Sequence, residues 1–408
     1  MTFRIRLIIM RTAVYFILFF SLASSGWAEQ LIMGYEENID QQIVAIFPVE
    51  NSAKNNILIT KIFLENRKSR FDPKRSKYIV YEIKDAAVGK AIPFLTIGIE
   101  EQHVIGKIAK VADGYLIPVI RGRKLIELYK YVSGKPEVQM VNLPTQSAQI
   151  DNLDKVFFLK DGFITVTLNK DNPALSFRKL NQSEPKELKL QNEAGKLRSI
   201  DDVTELNDRV YIVGTAIGNN DSDGRAVWVA SFDKQFAQDS LKVLHLDVEH
   251  ASTSLPKFIS SSHSLPSVQV LSRKTTFSPQ TLRVFRLDSK ATVVWKFNFD
   301  KIEGDKTVAI IGICADKYLF SRKSKEKESA SATVEYSVIN AKGGDVRTWN
   351  EKMIFVGALV DVDLYPTHDY VFSFTNFDKL EDKRRQDGWY SWLAYRSDRF
   401  MIQQDCNK

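Results

Sequence analysis

Apolar and polar positions alternate in short runs along most of this chain, and tight polar turns separate the runs. The stretch 112–143, ADGYLIPVIRGRKLIELYKYVSGKPEVQMVNL, shows the pattern most fully: a turn, a strand, a basic loop, a strand, a Gly-Lys turn and a third strand. The runs are rich in β-branched and aromatic residues at a period of two, the pattern of half-buried β-strands. Asp113-Gly114 sits between two such runs and reads as a hairpin turn, with Gly supplying a positive φ.

The turn recurs as Lys160-Asp161-Gly162-Phe163, Asn207-Asp208-Arg209-Val210, Ala315-Asp316-Lys317-Tyr318 and His368-Asp369-Tyr370. The Asp steps are about 48, 47, 108 and 53 residues, so the long step is two periods with a degenerate turn near Ser262. The third run of each unit recurs at Leu125–Tyr131, Ala174–Leu180, Ala226–Phe232, Thr281–Leu287, Thr333–Ile339 and Trp389–Tyr395. A fourth run follows each: Val138–Leu143, Glu187–Leu190, Leu241–Leu246, Thr292–Phe299, Asp345–Trp349 and Phe400–Gln403. An earlier, less regular unit fits Ile43–Phe47, Ile57–Leu64, Tyr78–Ile83 and Ile92–Ile97. Short strands repeating in fours every 40 to 50 residues mark propeller blades. The expectation is an all-β chain forming a β-propeller of about seven four-stranded blades; six blades, or two β-sandwich domains, are the alternatives. The first strand, Leu31–Tyr35, is expected to help close the ring against the last blade.

Residues 1–28 stand apart from this pattern. Arg11 precedes an apolar run from Ala13 to Ala23, and Gly26 and Ala28 occupy the small-residue positions of a signal-peptidase site. The run is too short to span a bilayer comfortably. A cleaved signal peptide at 1–28 and a single propeller domain at 29–408 are expected, in a periplasmic or secreted protein with no transmembrane segment after cleavage. Met10 offers a second start that gives a compact signal peptide by itself.

Export gives the two cysteines, Cys314 and Cys406, a compartment in which they could pair. The strand map opposes pairing. Cys314 falls on an innermost strand and Cys406 follows an outermost one, about 14 Å away across a blade. A disulfide needs Cα atoms within about 7 Å.

Charge changes the picture through its location. The formal net charge is +7, and loss of Arg4, Arg6 and Arg11 with the signal peptide leaves about +4. Loops between second and third strands project from one face of a propeller, together with the connections between blades. Those loops hold Arg67, Lys68, Arg70, Lys74 and Arg75; Arg121, Arg123 and Lys124; Arg322 and Lys323; and Lys383, Arg384 and Arg385. Counting Lys77, Lys170, Arg225, Arg273, Lys274, Lys325, Lys327 and Lys379 as well, they carry about 21 basic residues against 11 acidic ones. A one-faced excess focuses the field and attracts anions; Lys and Arg are also ordinary solubilising loop residues. With export excluding most nucleic acid, the expected partner is an acidic protein or an anionic envelope component, met by a monomer.

The chemistry in the sequence is sparse. There are five histidines and no HExxH, zinc spacing, nucleophile elbow, phosphate loop or dinucleotide fingerprint, so no cofactor or metal is expected. His245-Leu-Asp-Val-Glu-His250 falls on an outer strand, where a solvated rim explains it better than a metal. Asn219, Asp221, Asp223 and Gly224 open like a calcium loop, but Val227 and Ala230 stand where oxygen donors belong. His103, Glu249 and His250, at connections leading towards the channel, are the acid/base candidates. The strand ATVVWKFNF around Trp295 resembles a repeat of bacterial quinoprotein-like propellers over that one strand, and no family or quinone is inferred from it. Two functions follow as expectations. One is a non-catalytic binding or scaffold protein, such as an inhibitor or immunity protein. The other is a hydrolase or lyase acting on an anionic glycan at the channel mouth.

Overall fold

The computed structural model describes the strands and tight turns between residues 30 and 397. Residues 1–29 and 398–408 lie outside the described residues, as do most longer loops, among them 64–75, 144–148, 191–195, 218–224, 249–252, 260–264, 274–279, 303–307, 326–330 and 379–388. The described strands form seven antiparallel sheets; six follow the sequence order of their strands from one edge to the other, and the seventh takes its outer strand from the other end of the chain.

Sheet I runs Asp40–Pro48, Asn55–Phe63 and Ser76–Lys84, and both Ala87–Val88 and Ile92–Ile97 pair with the last of these. In sheet II, His103–Ile105 and Ala109–Val111 share the inner edge of Gly114–Arg121; Leu125–Val132 and Val138–Val141 complete it. Sheet III is Leu153–Phe158, Gly162–Asn169, Asn172–Lys179 and Lys186–Leu188. Leu197–Leu206, Arg209–Ile217, Arg225–Asp233 and Lys242–Leu246 form sheet IV. Sheet V is Thr253–Phe258, Ser267–Arg273, Gln280–Leu287 and Val293–Ile302. Sheet VI is Val308–Cys314, Lys317–Lys325, Ser331–Asn340 and Asp345–Ile354. Sheet VII is Ala358–Pro366, Tyr370–Asp378 and Trp389–Ser397, and its outer strand is Gln30–Met33 from the other end of the chain.

That outer strand departs from one expectation. Phe400–Gln403 was to be the last strand; it lies outside the described residues, and Gln30–Met33 occupies the edge of Trp389–Ser397 instead. The expected closing role of the first strand holds.

Sheets pack face to face in sequence order. Apolar clusters join sheet I to II (Val80 and Ile92 with Ile117 and Val119), II to III (Ile126 and Leu128 with Val156 and Phe163) and III to IV (Leu175 and Phe177 with Ile212 and Ala230). Two more join IV to V (Val213 and Val229 with Val268 and Phe285) and V to VI (Leu282 and Val284 with Tyr318 and Ile339). Val308–Cys314 touches Ala358–Pro366, and Trp389–Ser397 touches Asp40–Pro48, so the seventh sheet meets both the sixth and the first. The ring is closed, and the fold is a β-propeller.

Burial follows position in the sheet. Second strands are covered on both faces, and Arg209–Ile217 is buried at every position except its ends. Outer strands are wet, as at Val138–Val141. This is why second strands read as continuous apolar runs and third strands alternate. The repeat is also visible in contacts 49 residues apart between neighbouring sheets. Tyr131 Oη donates to Glu82 Oε2 at 3.2 Å, Lys186 Nζ to the Gln235 carbonyl at 2.9 Å, and Lys296 Nζ to Asp247 Oδ2 at 2.6 Å.

The Asp-Gly turns work differently from the sequence expectation. Among described glycines, only Gly122 has a positive φ. A Cβ on Gly114 would collide with the Tyr131 carbonyl, and one on Gly162 with the Arg178 carbonyl. Glycine recurs there because the third strand passes too close for a side chain. In the sheet IV version, Asn207 and Asp208 take the positive φ values, 49° and 61°.

One layer of inner-strand side chains ties several sheets together. Lys107, Lys155 and Asp201 are separated by steps of about 48 and 46 residues, so they occupy equivalent repeat positions. Lys155 Nζ donates to the Ile200 carbonyl at 2.7 Å. Lys107 Nζ donates to both Asp202 Oδ1 and the Val203 carbonyl at 2.7 Å. Asp202 is buried and also accepts from the backbone N–H of Val203 and of Phe258, each at 2.9 Å, so one carboxylate links sheets II, IV and V. Among the described residues no helix is long and apolar enough to cross a membrane, and no cluster of side chains has the composition of a metal site.

Candidate functional site

The basic hairpin between the second and third strands of sheet II is the described part of the expected face. Gly122 and Arg123 have φ of 56° and 58°, two successive left-handed residues as in a type I′ turn. Lys124 N–H closes the turn on the Arg121 carbonyl at 3.2 Å. The incoming connection to sheet III then rests on it. Ile150 N–H donates to the Lys124 carbonyl and Leu153 N–H to the Arg123 carbonyl, both at 2.7 Å. Hairpin and inter-sheet connection therefore share a face, as the strand alternation requires.

The three basic side chains of this hairpin diverge. Arg121 turns inward: its Nε donates to Glu127 Oε2 at 3.0 Å, and Tyr129 Oη donates to the same oxygen at 2.8 Å. Lys124 lies 3.6 Å from Asp151, but both side chains are exposed, at 73% and 87%, so water screens the pair. Arg123 is exposed and has no side-chain partner among the described residues. The outward charge of this hairpin is thus carried by Arg123 and Lys124, and Arg121 is held inside.

Other expected residues divide similarly. Arg322 and Lys323 are not in a loop: they lie within Lys317–Lys325, opposite Val308 and Val334. Backbone pairing carries the strand through this polar run because ladder hydrogen bonds do not depend on the side chains. Arg225 and Arg273 are likewise terminal strand residues. Arg67, Lys68, Arg70, Lys74, Arg75, Lys383, Arg384 and Arg385 fall outside the described residues. Cys314 ends an inner strand opposite Lys317, while Cys406 falls outside.

His103 opens the inner strand of sheet II directly across from Arg121. Its Nε2 is hydrogen-bonded to the Tyr78 hydroxyl of sheet I at 2.7 Å, with the two rings edge-on at 5.4 Å. Tyr78 also packs on Phe94, which meets Tyr129 edge-on. Burial pushes the Tyr78 phenol up to about 12. Burial and the hydrogen bond to the Glu127 carboxylate do the same for Tyr129, also to about 12. A histidine, an arginine, a glutamate and two phenols therefore meet at the hairpin end of the interface between sheets I and II. Glu249 and His250, the other acid/base candidates, lie outside the described residues. Sequence reasoning missed Tyr78, Glu127 and Tyr129. The i, i+2 spacing of Glu127 and Tyr129 placed them on one strand face, but only packing could bring Tyr78 from another sheet.

No protein-family model matches the chain, and no curated protein matches it. Solved structures do. The WD40 domain of SCAP from fission yeast is similar with a TM-score of 0.50 at 8% identity, over 92% of this chain and 99% of that one. The polysaccharide lyase Uly1 is similar with a TM-score of 0.51 at 10% identity, over 86% of this chain and 89% of that one. At such identities the likeness is one of fold: a β-propeller, an architecture whose neighbours have mixed functions.

Proposed function

We propose that the chain is an exported, periplasmic or secreted binding protein that docks an acidic partner on the face bearing the basic hairpins. The observation that carries this reading is the 121–124 hairpin. Its turn is fixed by two left-handed residues and by hydrogen bonds from the next connection, so Arg123 and Lys124 are presented with their backbone already ordered. Preorganisation lowers the entropic cost of docking. The test is a pull-down from envelope extract with the chain from Glu29, beside a variant carrying Arg123→Glu, Lys124→Glu, Arg384→Glu and Arg385→Glu. Arg121 is left intact because Glu127 holds it. A partner that moderate salt releases, and that the variant does not retain, supports the reading. Equal recovery by both proteins sinks it. Cell fractionation with N-terminal sequencing tests export, the expected first residue being Glu29.

A second reading, a hydrolase or lyase of an anionic glycan, rests on His103 lying against Tyr78 and opposite Arg121. A histidine hydrogen-bonded to a phenol suits proton transfer, with Arg121 nearby already paired to Glu127. Turnover of a polyuronate that disappears in His103→Ala would favour it; an unaffected rate would remove His103 from any such role.

A further inference from the structure

The 121–124 hairpin is continuous with an apolar feature on its own face. The connection resting on it passes through Asp151 and Asn152, and Asn152 has a positive φ of 55°. The Asn152 carbonyl accepts from the Leu168 N–H at 3.0 Å, which carries the surface onto the second strand of sheet III. Leu168 is 38% exposed, one of four large apolar side chains that stand exposed among the described residues. Its register partner is Pro173, at the start of the third strand. Pro173, Ala174 and Leu175 form one side of a cavity of about 230 Å³, and Glu187–Leu190 with Leu197 form the other. Leu175, Leu188, Leu190 and Leu197 are themselves buried, while Glu187 and Lys189 stand exposed at its edge. Strand alternation puts all of this on the hairpin face: Leu168 nears the end of a second strand, Pro173 begins a third, Leu190 follows a fourth and Leu197 opens a first.

The charge along this strip is uneven. Arg123, Lys124, Lys189 and Lys196 are exposed on it, against the carboxylates of Asp151 and Glu187. A single exposed leucine is ordinary on a protein surface. Leu168 differs in its neighbours, because cations lie on one side of it and a cavity on the other. The other three exposed apolar side chains, Met140, Val294 and Leu255, lie on outer strands or, for Leu255, on an inner one. Interfaces concentrate their energy in a central apolar anchor seated in a pocket and ringed by polar contacts. The strip has both parts, and its charge selects an acidic partner.

We propose that the strip receives an acidic peptide segment whose carboxylates meet Arg123 and Lys124 and whose apolar side chain packs on Leu168 and enters the cavity beside it. The proposal rests on the docking reading above and adds the chemistry of the partner. Packed sheets lie about 10 Å apart, so acid and anchor are separated by roughly three residues of extended chain.

The probe is the peptide Glu-Glu-Ser-Ser-Leu-Ser-Ser-Glu-Glu, which presents the same spacing in either chain direction, added to the chain from Glu29. Its central leucine is replaced by a diazirine leucine for photo-cross-linking with mass mapping, and a fluorescein-labelled form reports affinity by anisotropy. Controls carry serine at the centre or lysine in place of every glutamate. The expected result is cross-linking at 168, 173–175 and 187–190, abolished in the lysine peptide and competed by the leucine peptide but not by the serine one. Leu168→Ser should weaken binding about fivefold or more without changing the melting temperature, since the side chain is exposed. Arg123→Glu with Lys124→Glu should weaken it at least as much. Charge-dependent binding that is equal for the leucine and serine peptides overturns the anchor and leaves the basic-face reading standing. Leucine-dependent binding that is indifferent to Arg123→Glu and Lys124→Glu overturns the coupling of anchor to basic hairpin. Cross-links confined to other parts of the chain, or no binding of either peptide, overturn the proposal without any variant having to fold.

Discussion

At the residue scale, sterics and solvation make separate predictions. Gly114→Ala should cost about 1–3 kcal/mol, because the added Cβ meets the Tyr131 carbonyl and backbone cannot easily yield. Gly122→Ala has open space around it and bears only the strain of its positive φ, about 1 kcal/mol. Urea titrations of both variants check the order; a larger cost at Gly122 would contradict it. The tyrosines predict a pH dependence. Tyr78 and Tyr129 have phenols raised from 10.0 to about 12, so folding favours their neutral form. That contribution is complete below the unfolded value of 10.0 and is lost as pH rises through about 12. Urea midpoints should fall across this window, and less steeply in Tyr78→Phe. An identical slope in the variant would show that the phenol does not carry the effect. The Asp-Gly positions were legible in the sequence, though for the wrong reason. Spacing identified them as turns, but a close approach from a strand 16 or 17 residues later is invisible along the chain.

At the element scale, the outer strand Gln30–Met33 is held to Trp389–Ser397 by a short antiparallel register, and it joins the two ends of the chain. Deleting residues 29–36 should lower the melting temperature by several degrees by exposing the edge of the seventh sheet. An unchanged melting curve would mean that another segment supplies the closure. Strand positions were largely readable because a half-buried strand imposes a period of two, and a second strand covered on both faces imposes an apolar run. Loop limits were less so. Arg322 and Lys323 read as loop residues by composition, yet backbone pairing extends the strand through them. In the described hairpin Glu127 neutralises Arg121, so that hairpin presents two free charges where its composition counts three.

At the scale of the whole molecule, Asp202 is the carboxylate on which three sheets converge. Asp202→Ala should destabilise the chain by about 2 kcal/mol, leaving the Phe258 N–H without its acceptor and the Lys107 ammonium with the Val203 carbonyl but no carboxylate. Lys155→Met should cost less, since the Lys155 side chain is more than a third exposed. Equal losses in the two variants would deny Asp202 a special place.

The sequence by itself determined the strand pattern, the period near 48 residues and the antiparallel ring these imply, because each depends on local alternation and on turn chemistry repeated along the chain. Only the tertiary structure decided which charges stay free. It also brought Tyr78 of one sheet to His103 of the next. Those outcomes depend on side chains from different sheets meeting across an interface, and no one-dimensional spacing encodes the distance between them.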